Sequence, residues 1–395
     1  MNQLKRRPGA HYHAGMKWTV CAAALFLLGA SPAPSPGDLA FAHGDFDAAL
    51  RAYSAAVASS PNAGSLLGLG TMELYRDDLR NSREHLTEAA RLDPANPTIE
   101  ARLRTLHGRE PSATDFEIAM PAGGVRIPFA SIDPLPLIRG EINGREAWFV
   151  LDTGASGVDL SAAGARRLGI ATHAAGRGVF AGGKQADLQA GRIDTFAAGG
   201  LTVHGIPTTV VEGLSLKLGG HDIDGAIGTV FLRHFLSTID YRHGALVLRE
   251  RTGGSAAARA PAGASAASVP MWLVGDHFLF ARGRVGDVEG LFNVDTGGTD
   301  VGVQLTKASL AAAGITPQAA KGDFVGGGGA VAMQRFTAPS VSLGTFTRRN
   351  VPGVFFPDGD QFGIFPFAVT GVVSHEFFRG SEVTLDFDTM TLTVS

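Results

Sequence analysis

Apolar positions change their spacing once along this chain. From residue 38 to about 107 they recur at helical intervals, and the first run, Asp38 to Val57, ends near Pro61. From about Phe116 they come in short alternating runs broken by Gly, Pro and Asn-Gly, which is the pattern of antiparallel sheet. The chain is therefore expected to be mostly β, preceded by a small α-helical segment.

Each part repeats internally. In the helical part Phe46, Tyr53, Ala56 and Pro61 return 33 residues later as Leu79, Leu86, Ala89 and Pro94. That period and this Ala/Leu/Tyr grammar resemble the tetratricopeptide family, and two units are read over residues 38–107. A helical cap packed on the next domain and a docking surface for a protein partner are both open for so short an array. In the β part Arg139-Gly140 lies thirteen and twelve residues before Asp152, and Arg282-Gly283 at the same offsets before Asp295. A turn dipeptide follows in each copy, Asn143-Gly144 and Gly286-Asp287. An apolar strand then enters Asp-Thr-Gly, as Trp148 to Gly154 and as Leu291 to Gly297. Downstream, Ile206-Pro207 matches Val351-Pro352, and Gly225-Ala226-Ile227-Gly228 matches Gly371-Val372-Val373-Ser374. Each copy ends on a strand pair, near Ile239 and Leu246 and near Leu385 and Leu392. The expected organisation is a first lobe at 116–252, a linker at 253–268 that is nearly all Ala, Gly, Ser and Pro with one Arg, and a second lobe at 269–395.

A single Asp-Thr-Gly suits any tight turn, but two at the same place in a repeat are specific. Over residues 116–395 the chain resembles the pepsin and retropepsin-like aspartic peptidases. The resemblance implies a bilobal acid-protease fold of two homologous β-barrel-like lobes, with Asp152 and Asp295 as the catalytic pair. It further implies that Thr153 and Thr296 cross-link the two loops, and that Gly154 and Gly297 let backbone amides reach the carboxylates. Ala226, Ile227 and Gly228, and in the second copy Val372, Val373 and Ser374, would pack behind the loops. Two carboxyl groups about 3 Å apart share one proton, so one member acts as base on a water while the other donates to the developing oxyanion. Such chemistry needs no cofactor and no metal, and the substrate would be a polypeptide.

Three positions depart from the pepsin pattern. No tyrosine lies between Asp152 and Gly228, so a flap would be built from the Gly-rich stretch Gly176–Gly183. Ala155 and Gly298 stand where pepsins carry Ser or Thr, and Ser374 replaces the glycine of the second apolar segment. Serine is small, so tolerance is expected there. Other motifs read as architecture. Phe324 to Gly329 lacks the Gly-Lys-Ser/Thr ending of a phosphate loop and fits a flap or a plain loop. His375-Glu376 lacks the second histidine of a zinc helix, and His221 to Asp224 fits a solvated turn. Ser156 and Ser374 have no His-Asp partners by sequence, and Trp148 and Phe149 fit a core strand.

Composition narrows the alternatives. With 34 Lys+Arg against 37 Asp+Glu the net charge is −3, which gives no footprint for nucleic acid or an anionic membrane. Cys21 is the only cysteine, so an intrachain disulfide is excluded, and cleavage near Ala33 would remove it, leaving no cysteine metal site or thiol nucleophile. Lys5, Arg6, Arg7 and Lys17, the apolar run Val20–Ala30 and Ser31-Pro-Ala33 read as a signal peptide over 1–33, tighter if translation starts at Met16. The run of 11 residues is short of the roughly 20 that span a bilayer. An exported, periplasmic or secreted monomer is expected, less readily one anchored by an uncleaved signal. An inactive peptide-binding relative and a helical-repeat adaptor with a structural β region are the alternatives to an endopeptidase.

Overall fold

The computed structural model describes residues 33–112, 114–251, 253, 266–318 and 321–395. The expected signal segment and most of the expected linker lie outside them. The linker expectation ran to Ser268, but Ala267 already begins a strand, pairing with Val394.

Five helices open the chain: α1 (Pro36–Ala42), α2 (Phe46–Ser59), α3 (Ala63–Tyr75), α4 (Leu79–Leu92) and α5 (Pro97–Arg109). Their starts follow from side chains that accept the first free amides. Asp45 and Asp78 cap α2 and α4, and Asn62 and Asn96 cap α3 and α5, so the caps repeat with the apolar pattern. No helix among the described residues is long and apolar enough to cross a membrane.

Each lobe closes six strands into a barrel, in matching order. Leu137–Ile142 alternates buried Ile138, Gly140 and Ile142 with exposed Arg139 and Glu141, as a strand with one wet face must. Asn143 and Gly144, both at positive φ (52° and 74°), turn it into Arg145–Leu151. Gly225–Ile227 then inserts beside that strand, parallel to it (Ala226 opposite Val150), and antiparallel to Val158–Ser161. Lobe two repeats the pattern, with Gly371–Val373 parallel to Val288–Val294 and antiparallel to Val303–Leu305. Trp148 is half-buried and stacks on His221, with 3.7 Å between ring centroids. Asp224 differs from a solvated turn: it is buried and accepts from Trp148 N and from Arg167.

The strand pairs that end the two copies meet each other. Leu236–Asp240 lies against Glu382–Asp386, with Ser237 opposite Leu385 and Asp240 opposite Glu382. Six strands, three from each lobe, thus form one sheet beneath the barrels, and one apolar core including Phe149, Phe196, Phe292 and Phe336 runs through both lobes.

The helices pack on lobe two. Phe46 is buried against Trp272 (5.4 Å) and Phe367 (4.8 Å), both edge-on. Arg109, also buried, donates to the carbonyls of Leu74, Leu273 and Gly275, and Arg76 reaches those of Met271, Thr389 and Met390. In lobe one the corresponding outer face is covered by its own residues Leu216, Leu218 and Ile223. Lobe two instead offers Phe362, Phe365 and Phe367, which the helices cover. Phe46→Ala is therefore expected to destabilise the protein by about 3–5 kcal/mol. In urea titration the helical signal and the Trp272 fluorescence should shift together. A shift in the helical signal alone would mean that the segment is only loosely attached.

Candidate active site

Asp152 and Asp295 stand where their strands end. The Asp152 amide donates to Ile227 O (3.0 Å) and the Asp295 amide to Val373 O (3.1 Å), so the inserted Ala226-Ile227 and Val372-Val373 strands fix where each loop leaves its barrel. The loops are then bonded to each other. Thr153 N donates to Thr296 Oγ1 (3.0 Å) and Thr296 N to Thr153 Oγ1 (3.1 Å). The hydroxyls continue across, Thr153 Oγ1 to Val294 O (2.8 Å) and Thr296 Oγ1 to Leu151 O (3.2 Å). Four bonds between the two loops, all made by two fully buried threonines, hold the aspartates side by side.

The glycines are required by the same closeness. A Cβ on Gly154 would run into the Asp295 carboxylate, and one on Gly297 into that of Asp152. Each glycine amide also donates to the aspartate of its own loop, Gly154 N to Asp152 Oδ1 (2.8 Å) and Gly297 N to Asp295 Oδ1 (2.9 Å). Burial, and next the charge and hydrogen bond of Asp295, hold the Asp152 carboxyl well above the usual carboxylate range, although the Gly154 amide works the other way. Such a pair retains a proton where an isolated carboxyl would have lost it.

Two supporting residues escaped sequence reading. Thr229 Oγ1 donates to Thr153 O (2.8 Å), from the first turn of a short helix after Gly228. Asp159 accepts from Ser156 N, Ser156 Oγ and Gly157 N, tying down the rest of the first loop. The spacing Ser156 to Asp159, an acid three residues after a serine in a turn, was the available signal for the second. Thr229 had none, since its partner lies 76 residues away.

Two hairpins approach from opposite lobes. Thr172–Val179 and Gln185–Ala198 form the first, turning through Ala181–Gly183, and Lys321–Gly326 and Gly329–Leu343 form the second. Their tips touch. A Cβ on Gly327 would meet the Phe180 ring, one on Gly182 would meet Val331, and one on Gly326 would lie 3.3 Å from the Cβ of Ala181. Ala181 joins an apolar cluster of Val301, Val331, Met333, Val354, Phe356 and Phe324. Val301 follows the second Asp-Thr-Gly closely in sequence, so the tips belong to the same neighbourhood as the aspartates. The stretch Phe324–Gly329 is thus part of a hairpin.

Elsewhere, Asp133, His375 and Glu376 gather three metal-type ligand atoms, as do Asp240, His243 and Glu382. In the first group Arg379 pairs with both acids, and in the second Arg126 pairs with Asp240, so a guanidinium already supplies the positive charge. Ser156 has Asp159 as partner and no histidine, so it is not an activated nucleophile.

Two homologous barrels that each deliver one Asp-Thr-Gly loop to a common floor define the bilobal acid-protease fold. Residues 138–231 and 281–365, one stretch in each lobe, match the aspartyl protease family model. Among solved structures, a retropepsin-like aspartic protease from Rickettsia conorii matches at 16% identity and a TM-score of 0.25, over 33% of this chain and 90% of that one. No curated protein matches the sequence.

Proposed function

We propose that this protein is an active aspartic endopeptidase in which Asp152 and Asp295 jointly activate a water. The observation that supports this best is the reciprocal fit of each glycine under the opposite carboxylate, because only a pair held this close shares a proton. The charged member takes a proton from the water, the water attacks the scissile carbonyl, and the protonated member donates to the oxyanion. Both loops lie on one chain, which favours a monomeric active unit. The basic, then apolar, then small-residue order of the first 33 residues favours export. Polypeptide would enter between the two hairpin tips, and the helices serve as the cap of lobe two. The reading of an inactive relative loses one support, since Ser374 sits in the second lobe with its hydroxyl bonded and its strand pairing intact.

Digestion of a denatured protein mixture by the purified chain, with Asp152→Asn as control, tests the assignment. Mass spectrometry should find internal cleavages that the variant does not produce. The rate should follow a bell-shaped pH profile. Neither Ala155 nor Gly298 has a hydroxyl to lower a carboxyl pKa, and burial raises that of Asp152, so the one-proton window lies high. A maximum at about pH 4.5–6.5 is expected. A maximum at strongly acid pH would show that other groups set the window.

A further inference from the structure

The two Asp-Thr-Gly loops are not equivalent beyond the glycine, and the difference singles out Ser374. In lobe one the turn closes on itself: Ala155 N donates to Asp152 O (3.0 Å), and Thr229 N donates to Ala155 O (3.1 Å). A Cβ on Gly228 would collide with Ala155 O, so that position has no room for a side chain. Lobe two takes a longer path. Val158 and Val303 occupy matching positions in the ladder, opposite Ile227 and Val373. Five residues separate Asp152 from Val158 and seven separate Asp295 from Val303. The extra length includes Asp300 at φ 55°, in the left-handed region. The loop swings wide, and the space that Ala155 O fills in lobe one is filled in lobe two by a side chain. That side chain is Ser374, itself 1% exposed, and its Oγ accepts from Gly298 N at 2.9 Å. Residue 298 has to be glycine for this, since a Cβ there would approach Ser374 Oγ to 2.5 Å.

Lobe two keeps backbone bonds farther along its loop, Val301 N to Gly298 O (3.3 Å) and Glu376 N to Val301 O (3.0 Å), but the amide of the residue that follows its Asp-Thr-Gly is held by the Ser374 side chain instead of by the aspartate carbonyl. His375 stands at the place of Thr229 and carries no hydroxyl. We propose that Ser374 is the positioning residue of the second catalytic loop: by holding Gly298 it fixes Asp295 against Asp152, and Gly298 and Ser374 act as one unit. The inference rests on the endopeptidase reading given above for its kinetic part, and on the hydrogen bond alone for its other part.

Ser374→Ala tests both. The Gly298 amide should lose protection, so hydrogen exchange of a peptide covering the second Asp-Thr-Gly loop should speed up at least tenfold over the wild-type chain. This holds whether or not the protein cleaves anything. Kinetically, kcat should fall about ten- to a hundredfold through misplacement of one carboxyl, with KM nearly unchanged. The bell-shaped pH profile should also narrow, because carboxyls that approach less closely split their two proton affinities less. Loss of folded enzyme would lower the curve without narrowing it. Gly298→Ala breaks the same bond from the other side, so the double variant should be no slower than the slower single variant. Unchanged exchange in Ser374→Ala, a lowered profile of unchanged width, or effects that multiply in the double variant would each overturn the proposal. Absence of cleavage by the wild-type chain together with accelerated exchange would overturn the endopeptidase reading and leave the anchoring role of Ser374 supported.

Discussion

Asp152→Asn and Asp295→Asn are each expected to lower kcat by about a thousandfold, because each carboxyl is needed once as acid or base in the same transition state. Asn keeps the shape of Asp, and the Gly154 and Gly297 amides can still donate to its oxygen. Structural damage can be recognised by its direction. The Asp152 carboxyl is raised well above the usual carboxylate range, chiefly by burial and then by Asp295, so the folded chain holds that proton more tightly than the unfolded chain. Such a group favours the fold at acid pH, and its contribution declines as pH rises past the unfolded value. Removing the charge by Asp152→Asn should thus raise the melting temperature at neutral pH by several degrees and change it little at acid pH. An inactive variant that melts later than wild type identifies a chemical defect. Near wild-type turnover in either variant would end the two-carboxyl mechanism.

The second large effect should come from fastening the hairpins. Ala181 Cβ and a Cβ on Gly326 would lie 3.3 Å apart, close to the ~3.8 Å typical of a disulfide. In a Cys21→Ser background, Ala181→Cys with Gly326→Cys should form a bond between the two tips. If polypeptide passes between them, oxidation should suppress cleavage by on the order of a hundredfold or more, and a reductant should restore it. A short fluorogenic peptide should be blocked less than an unfolded protein, since the latter needs the wider opening. Full turnover in the oxidised form would place substrate entry elsewhere.

The features legible in the sequence are those that a short stretch specifies alone. Asn143-Gly144 fixes its hairpin, the 33-residue period marks the paired helices, and duplication marks the two Asp-Thr-Gly loops, whereas the run read from Asp38 to Val57 is broken at Asp45, which caps a new helix. What pattern cannot reveal is the partner of a buried face. Ile239 and Leu385 each read as the end of a separate lobe, and nothing local says that their strands lie in one sheet. Phe362, Phe365 and Phe367 sit in an irregular stretch, with no periodicity to announce that helices more than 250 residues earlier cover them. Asp224 looked solvated because its partner Arg167 lies 57 residues away. Ser374 looked like drift from glycine. Its meaning required the neighbouring loop, where a side chain is missing at 298 and one is present at 374.

The sheet built from both halves changes what the connecting segment has to do. The halves are held by a ladder from Ser237 opposite Leu385 to Asp240 opposite Glu382, so the covalent tether between them need not set their distance or angle. Its entropic cost grows only with the logarithm of length, about 0.6 kcal/mol per doubling. A run from Gly253 to Ala266 made of Ala, Gly, Ser and Pro with one arginine suits so slight a demand. Lengthening or shortening such a tether leaves the two barrels where the shared ladder puts them.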